Sequence, residues 1–213
     1  MGEPVKGKSD AGRRREQRAR ETRRRIVRAA VDRFLRYGYR ATTVESIASD
    51  ARVAPATVYQ AFGTKAAVLA QALDESIVGD DSTTPLLERD WVVAARREPD
   101  PHRRLAHVLD GAVRTAIRTA ELKAVARDAA ASEPAIRELL ERDDARRLIT
   151  QRALVEIVLG RPGTDDETAA FYLLVNSPTA LLAANQLGWD DATWTAWLLD
   201  VLSRQLLGAP RPI

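Results

Sequence analysis

The sequence contains no cysteine, only two histidines, and 5% aromatic residues. Without cysteine, disulfides, thiol nucleophiles, zinc fingers and iron–sulfur clusters are excluded. His102 and His107 are five positions apart and do not share a helix face. The sequence therefore has few histidines from which to build a metal site or a catalytic triad. Because aromatic residues are scarce, aliphatic side chains and alanine must fill the core.

Long hydrophobic runs are also missing. The longest, residues 169–175, is about a third of the ~20 residues that a membrane span needs. The amino-terminal segment is polar and arginine-rich with no apolar stretch behind it, so we expect no signal peptide and a cytoplasmic protein. The length of 213 residues suits one mid-sized domain, or a small module joined to a larger one.

The net charge of +3 conceals an asymmetry along the chain. Residues 1–60 carry 15 Lys and Arg against 7 Asp and Glu, whereas residues 61–213 carry 18 against 23. A basic segment at 1–60 followed by a mildly acidic one at 61–213 indicates that the first segment binds a polyanion. A basic tail without a specific partner would give the same counts. We expect residues 1–13 to be a disordered basic tail.

The apolar residues fall at helical spacing and nowhere alternate as in a strand, which predicts an all-α fold of nine or ten helices. We expect Thr43, Thr64, Ser132, Asp165 or Asp166, and Asp190 to cap helices. The predicted helices lie at about 18–37, 44–51, 55–61, 65–78, 85–97, 101 to about 120, 121–130, 133–159, 165–187 with a break at 176–178, and from 190 to about 207.

The segment from Val44 to Gly63 has the pattern of a helix-turn-helix, in which two short helices cross steeply at a tight turn. Ala48 supplies the small residue at the crossing, and apolar residues at the required offsets line the inner angle. These inner residues are Ile47, Ala51, Val53, Val58 and Ala61. The helix before the motif carries a broad apolar stripe that includes Ile26, Ala30 and Phe34 and would support both short helices.

The outer face of the second short helix carries side chains suited to base edges in the major groove. Gln60 can pair with adenine, and the Thr57 methyl, Ala56 and the Pro55 ring can lie on thymine methyls. Tyr59 and Thr43 can hydrogen-bond phosphates, and Lys65 stands at a helix amino terminus, where free N–H groups already favour an anion. Such phosphate contacts fix the register of the protein rather than read sequence.

Residues 26–78 resemble the DNA-binding domain of the TetR family of bacterial transcriptional repressors. The resemblance rests on Ile26-Val27-x-Ala29-Ala30 with Phe34, Gly38-Tyr39-x-Ala41-Thr42-Thr43-Val44, Ile47-Ala48, Val53, Thr57-Val58-Tyr59, Phe62 and Lys65. It implies that Thr43, Tyr59 and Lys65 contact phosphate and that the helix with Thr57 and Gln60 is the recognition helix. The candidate DNA-binding residues are Thr42, Thr43, Pro55, Ala56, Thr57, Tyr59, Gln60 and Lys65.

Two positions of the turn depart from the family pattern. Arg52 stands where glycine is usual, and an arginine there either takes a positive φ at a cost of about 1 kcal/mol or changes the turn slightly. Ala54 replaces the usual hydroxyl cap, at a cost of about 1 kcal/mol. Arg52 is either a solvated turn residue or a phosphate contact.

Residues 169–207 resemble the last two helices of an actinobacterial-type branch of the same family, through Asn176-Ser177-Pro178 and Gly188-Trp189. In the family these helices pair with those of a second subunit as a four-helix bundle. The alternative is that the apolar stripe packs only inside its own subunit. The candidate dimer-interface residues are Phe171, Leu174, Leu181, Trp194, Trp197, Leu198 and Val201.

The resemblance therefore implies an amino-terminal domain at 14–63 that binds a palindromic operator. The rest, 64–213, would be a helical domain that binds a small-molecule effector and dimerises, with no cofactor, metal or membrane partner. The competing classes are an enzyme on a helical bundle, which would need a nucleophile–base pair or metal ligands, and a helical adaptor for another protein. The sequence identifies neither the effector nor the residues that bind it.

A few other residues have two interpretations. His102 and His107 are either ligand contacts or surface residues. Asp110 and Arg114 are either a polar pair in a pocket or an ion pair on the helix surface. Trp91 lines a cavity or fills the core. Asn176 binds a ligand, or the break beside it only accommodates Pro178.

Overall fold

The computed structural model describes residues 10–79 and 84–208, and within these ranges every regular element is helical. This confirms the all-α prediction. The ten α-helices are α1 (Asp10–Ala41), α2 (Val44–Asp50), α3 (Pro55–Phe62), α4 (Lys65–Val78), α5 (Asp90–Arg97), α6 (Pro101–Ala130), α7 (Pro134–Leu159), α8 (Asp165–Leu174), α9 (Ser177–Asn185) and α10 (Asp191–Leu202). A 3-10 turn, Leu86–Glu88, precedes α5, and a π-helical turn, Ser203–Leu207, follows α10.

The chain divides into two compact units, residues 1–72 and 73–213, and the division falls within α4. The sequence placed a domain boundary after residue 63 instead. In the described part of the first unit, α2 packs against α1 and α3. Ile26, Phe34, Ile47 and Val58 are buried at its centre, as the apolar spacing predicts.

Helix α1 begins at Asp10, eight residues before the predicted start at residue 18. Residues 1–9 of the predicted disordered tail lie outside the described residues, and residues 10–13 are helical, which corrects that prediction for these four. Regular helix is interrupted at Gly38, whose φ of +75° suits glycine and matches the predicted stop.

The second unit is built around α6, which packs against α5, α7, α9 and α10. Its core contains Leu105, Leu109, Leu154, Phe171 and Trp194, all buried. The sequence predicted two helices between 101 and 130, and this was wrong. Neither glycine nor proline interrupts residues 112–130, and the buried face continues through small residues such as Ala120 and Ala126, so one helix of 30 residues forms.

Two predicted caps of the second unit were also wrong. Pro134 favours an extended conformation at Glu133, so α7 begins at Pro134 with Glu133 as N-cap, not Ser132. Helix α8 is capped by Thr164, which forms a capping box with Glu167, and not by Asp165 or Asp166.

Another difference lies before α5, because the helix predicted from residue 85 begins only at Asp90. Arg89 has an extended backbone with ψ 153° and separates α5 from the 3-10 turn. The predicted caps Thr43 and Asp190 are confirmed, and the predicted break between α8 and α9 is present. Within the described ranges, no helix is long and apolar enough to cross a membrane.

Candidate DNA interface and ligand cavity

The first short helix of the motif is fixed at both ends. Thr43 accepts a hydrogen bond from the Ser46 N–H at 3.1 Å, and the Ser46 hydroxyl accepts one from the Thr43 N–H, which makes a reciprocal capping box. Arg33 of α1 donates to both carboxylate oxygens of Asp50, at 2.6 and 3.0 Å. That hydrogen bond lowers the pKa of Asp50 below its usual value, so α2 stays tied to α1 at neutral pH.

The turn between α2 and α3 has the geometry of a helix-turn-helix. Ala48 is fully buried at the crossing, and the Val53 N–H donates to the Ala48 carbonyl at 3.0 Å. Arg52 has φ +55° and is the only non-glycine residue of residues 10–79 and 84–208 with a positive φ. Ala54 is the N-cap of α3 and makes no side-chain hydrogen bond. The two departures from the family pattern therefore leave the turn with a left-handed backbone at Arg52 and α3 without a side-chain cap.

Helix α3 turns Val58 inward, where only 1% of the side chain is exposed, and presents a polar outer face. Tyr59 and Gln60 are exposed, as are the small residues Pro55 and Ala56 at its amino-terminal end, and Thr57 is half-buried. The structure thus brings five of the eight candidate DNA-binding residues onto one short helix whose opposite side is anchored in the core.

Thr42 does not belong to this surface, which corrects the prediction for that residue. It is completely buried, and its hydroxyl donates to the Gly38 carbonyl at 2.8 Å. Its role is to close the corner where α1 ends. The neighbouring Thr43 is exposed while it caps α2.

Lys65 is held against the same corner. Its ammonium group donates to the carbonyls of Tyr39 and Thr42, each at 2.8 Å, and lies 3.9 Å from the centre of the Tyr39 ring. The carbonyl bonds place a positive charge where α1 ends and α2 begins. Lys65 therefore positions this corner, and phosphate binding by Lys65 stays a prediction.

The arginine-rich segment that precedes the predicted helix start at residue 18 is also helical and forms an extension at the start of α1. Nine arginines lie between residues 13 and 28, and residues 13–21 are exposed on every side of the helix. Near the core, Arg23 hydrogen-bonds the Ala61 carbonyl and stacks on the Phe62 ring, 4.2 Å from its centre. The density of arginine was the available signal, but without apolar periodicity it did not predict a helix before residue 18.

The second unit contains a cavity of about 650 Å³, which lies within the range of roughly 300–1,000 Å³ usual for small-molecule sites. Its walls come mainly from α6 and α7, with contributions from the end of α4, from Trp91 of α5 and from the break between α8 and α9. Gly111 makes room for Trp91, because a Cβ at position 111 would lie 2.2 Å from the indole ring. No sequence signal located this cavity.

Polar groups along the cavity wall are held by hydrogen bonds. Lys123 and Asp143 form a buried ion pair at 2.6 Å, and the hydroxyls of Thr119 and Ser177 are 2.8 Å apart. Gln151 donates to the Val175 carbonyl at 2.9 Å. The wall is thus mostly apolar and carries a few polar groups in fixed positions, as ligand sites usually do.

Next to Thr119 on α6, Arg118 points to a different neighbour. Its Nε donates to the Ser76 carbonyl at 2.6 Å and its Nη2 to the Ile77 carbonyl at 2.9 Å. These carbonyls belong to the last turn of α4, where unsatisfied C=O groups favour a cation. Arg118 therefore links α6 to the carboxyl end of α4.

The other residues with two interpretations are now placed. Trp91 is half-buried and lines the cavity, and Asn176 both lines it and caps α9 by accepting from the Thr179 N–H. Asp110 and Arg114 form an exposed ion pair one turn apart on α6, and both line a second pocket of about 590 Å³ together with His107. His102 Nδ1 lies 3.5 Å from the Ser203 hydroxyl.

Three of the seven candidate interface residues are enclosed by their own unit. Phe171, Trp194 and Leu198 are at most 2% exposed, because they pack into the core around α6. They offer no surface to a partner, which corrects the prediction for these three. Leu174, Leu181 and Val201 are half-buried, and Trp197 is exposed and packs on Trp189 with 5.6 Å between ring centres.

These features define a class of protein: an all-α protein with a helix-turn-helix unit and a second helical unit that contains a cavity. Residues 26–72 match the family model described as bacterial regulatory proteins of the tetR family. This match identifies residues 26–72 as a helix-turn-helix DNA-binding domain of the tetR type. No curated protein matches the chain by sequence.

Solved structures show that the fold extends over most of the chain. NalD of Pseudomonas aeruginosa, the secondary repressor of the MexAB-OprM multidrug efflux pump, is 23% identical with a TM-score of 0.64, over 92% of this chain and all of that one. A transcriptional regulator from Saccharomonospora viridis in complex with choline is 18% identical with a TM-score of 0.65, over 87% of this chain and 97% of that one. FadR of Bacillus subtilis in complex with stearoyl-CoA is 18% identical with a TM-score of 0.64, over 87% and 98%.

Proposed function

We propose that this protein is a cytoplasmic repressor that binds a palindromic operator as a homodimer and is released by a small molecule in the cavity. The observation that carries the proposal is the face of α3, where Gln60, Tyr59 and Thr57 stand outward over a buried Val58. An α-helix of this kind fits the major groove, where each base pair presents a distinct pattern of donors and acceptors.

Dimerisation is supported by apolar side chains that the second unit leaves uncovered. Leu173, Leu182, Leu187 and Trp197 are exposed on or beside α8, α9 and α10, within the segment that resembles the actinobacterial-type branch. We assign this segment to that branch and expect these residues, with Leu174, Leu181 and Val201, to form the interface. A twofold dimer would present its two recognition helices about 34–36 Å apart, one turn of DNA.

Release by an effector is supported by the cavity and by the position of α4 on its wall. Asp74 and Ile77 of α4 line the cavity together with residues of α6 and α7. A ligand that favours a different placement of α4 would change the spacing of the two recognition helices and so depopulate the operator-bound state. The complexes of similar structures with choline and with stearoyl-CoA indicate that this fold accommodates chemically different ligands.

The arginine-rich extension of α1 is the second part of the proposed DNA interface. A helix that is polar on all sides has no core to bury, and here arginines outnumber the acidic residues Asp10, Glu16 and Glu21, so a polyanion would stabilise it. Each phosphate contact makes the slope of log K against log salt steeper by about 0.9. Replacing Arg13, Arg14 and Arg15 by glutamine should therefore make the slope measurably shallower.

The experiment that tests this function is selection of bound duplexes from a random pool, followed by fluorescence anisotropy on the selected site. A palindromic site should be recovered. Gln60→Ala should reduce discrimination at one base position by the roughly 1–3 kcal/mol of a bidentate contact, whereas Tyr59→Phe should weaken all duplexes alike. Gln205→Ala, on an exposed position of the second unit, is the matched control and should change neither.

Two outcomes would contradict the proposal. If no duplex is selected even at low ionic strength, the protein is not a sequence-specific DNA-binding regulator. If Gln60→Ala lowers affinity equally for every sequence, then Gln60 does not read a base.

A further inference from the structure

The cavity has two chemically different ends. The apolar end contains Leu86, Trp91 and Ala112. The charged end lies further along α6, where Lys123 and Arg127 meet residues of α7. Since α6 rises about 1.5 Å per residue, Ala112 and Arg127 are separated by roughly 22 Å along the helix.

The charges at the second end do not balance. Four cationic side chains line the cavity, namely Lys123, Arg127, Arg146 and Arg147, against the two acids Asp74 and Asp143. The lining therefore has an excess of two positive charges, and walls of one sign favour a ligand of the other.

The existing ion pairs leave Arg127 and Arg146 weakly neutralised. Arg147 differs, because it is held by Asp144 at 3.6 Å and by the Tyr172 carbonyl at 3.3 Å. Lys123 takes Asp143 at 2.6 Å, with both side chains at most 15% exposed. Arg146 reaches Asp143 and Asp74 only at 3.9 Å each, beyond hydrogen-bond distance. Among the residues that the structure describes, Arg127 has no hydrogen-bond or ion-pair partner.

The break between α8 and α9 adds to the same preference. Asn176 and Ser177, the N-cap and first residue of α9, line the cavity. A helix amino terminus carries a partial positive charge that favours anions.

We propose that the effector is an amphipathic anion, whose apolar body lies against Leu86 and Trp91 and whose carboxylate-like head lies between Arg127 and Arg146. This inference rests on the proposed function, since it names the chemical class of ligand for the cavity assigned there. An anionic head competes with Asp74 for Arg146, and Asp74 is on α4. The charge of the ligand thereby acts directly on a contact of that helix.

The test is isothermal titration calorimetry on the full-length protein with three probes that share one alkyl chain: decanoate, decanol and decylammonium, each below its micellar concentration. Decanoate should bind about tenfold or more tightly than decanol, because a hydrogen bond between a guanidinium and a carboxylate is stronger than one to a neutral hydroxyl. Decylammonium should bind more weakly than decanol.

Matched variants locate the head group. Arg146→Gln and Arg127→Gln should each lower the affinity for decanoate severalfold and leave the affinity for decanol unchanged. Arg142→Gln makes the same change in charge on α7, the helix that carries Arg146. Arg142 is exposed and lies outside the cavity, so this variant should have no effect.

The inference is overturned if decanol or decylammonium binds as tightly as decanoate, if decanoate binds equally well to all variants, or if no probe binds. Operator affinity, measured separately by anisotropy without any probe, distinguishes these results from a failure of the regulator assignment. A protein that selects a palindrome but prefers decylammonium is a regulator with a different class of effector.

Discussion

Replacing Arg52 by glycine should stabilise the first unit. The φ of +55° at this residue is a left-handed conformation, which costs a residue with a side chain about 1–2 kcal/mol. Glycine removes that strain but loses roughly 0.5–1 kcal/mol more backbone entropy on folding. The expected net gain is therefore about 0.5–1 kcal/mol, a two- to fivefold change in the local opening equilibrium.

The measurement is amide hydrogen exchange in the full-length protein, followed at buried positions of α2 and α3 such as Ile47 and Val58. Their protection should rise two- to fivefold in Arg52→Gly, while protection in α6 stays constant. Arg52→Ala is the control, since it removes the charge and keeps the strained φ, and it should give no gain. If both variants raise protection equally, charge rather than backbone strain is the cause, and the reasoning is refuted.

Three further changes test other parts of the molecule. Ala54→Ser should supply the missing cap of α3 and raise stability against urea by about 1 kcal/mol; an unchanged urea midpoint would contradict this. Gly111→Ala should push Trp91 from its place and cost about 1–3 kcal/mol, visible as a lower melting temperature and a shifted tryptophan emission; an unaltered spectrum would refute it. Arg161 hydrogen-bonds Glu167 and lowers its pKa from 4.5 to about 2, so this stabilisation holds above pH 4.5 and is lost as the pH falls towards 2. Glu167→Gln should flatten that loss in urea midpoints measured across the same pH range.

The helix-turn-helix was predictable because its constraints are local. A small residue at position 48, a cap at Thr43 and an inward Val58 each follow from the geometry of two short crossing helices, and the structure places all three as expected. The sequence left two alternatives open at Arg52, and the structure has the positive φ rather than an altered turn.

What the sequence did not provide depends on contacts between distant segments. Thr42 and Thr43 are neighbours with the same side chain, but only the packing of α1 decides that Thr42 is buried and Thr43 exposed. Likewise, the stripe on α10 could face its own unit or a partner, and only the core around α6 shows that Trp194 faces inward and Trp197 outward. The cavity itself requires α6 and α7 to be placed side by side, which periodicity along one chain does not specify.

The order of residues on α6 has a consequence for how the proposed regulator could diversify. Thr115, Thr119 and Lys123 follow one another turn by turn along the cavity wall. Arg118, on the same helix, hydrogen-bonds the end of α4. In the proposed function, substitutions at Thr119 and Lys123 can therefore change ligand preference while Arg118 keeps its bonds to α4, whereas Thr115 lies 3.5 Å from Arg118 and belongs to both sets of contacts. Under that proposal, sensing and transmission are separable traits, so a lineage could acquire a new inducer while it keeps its inherited mode of response.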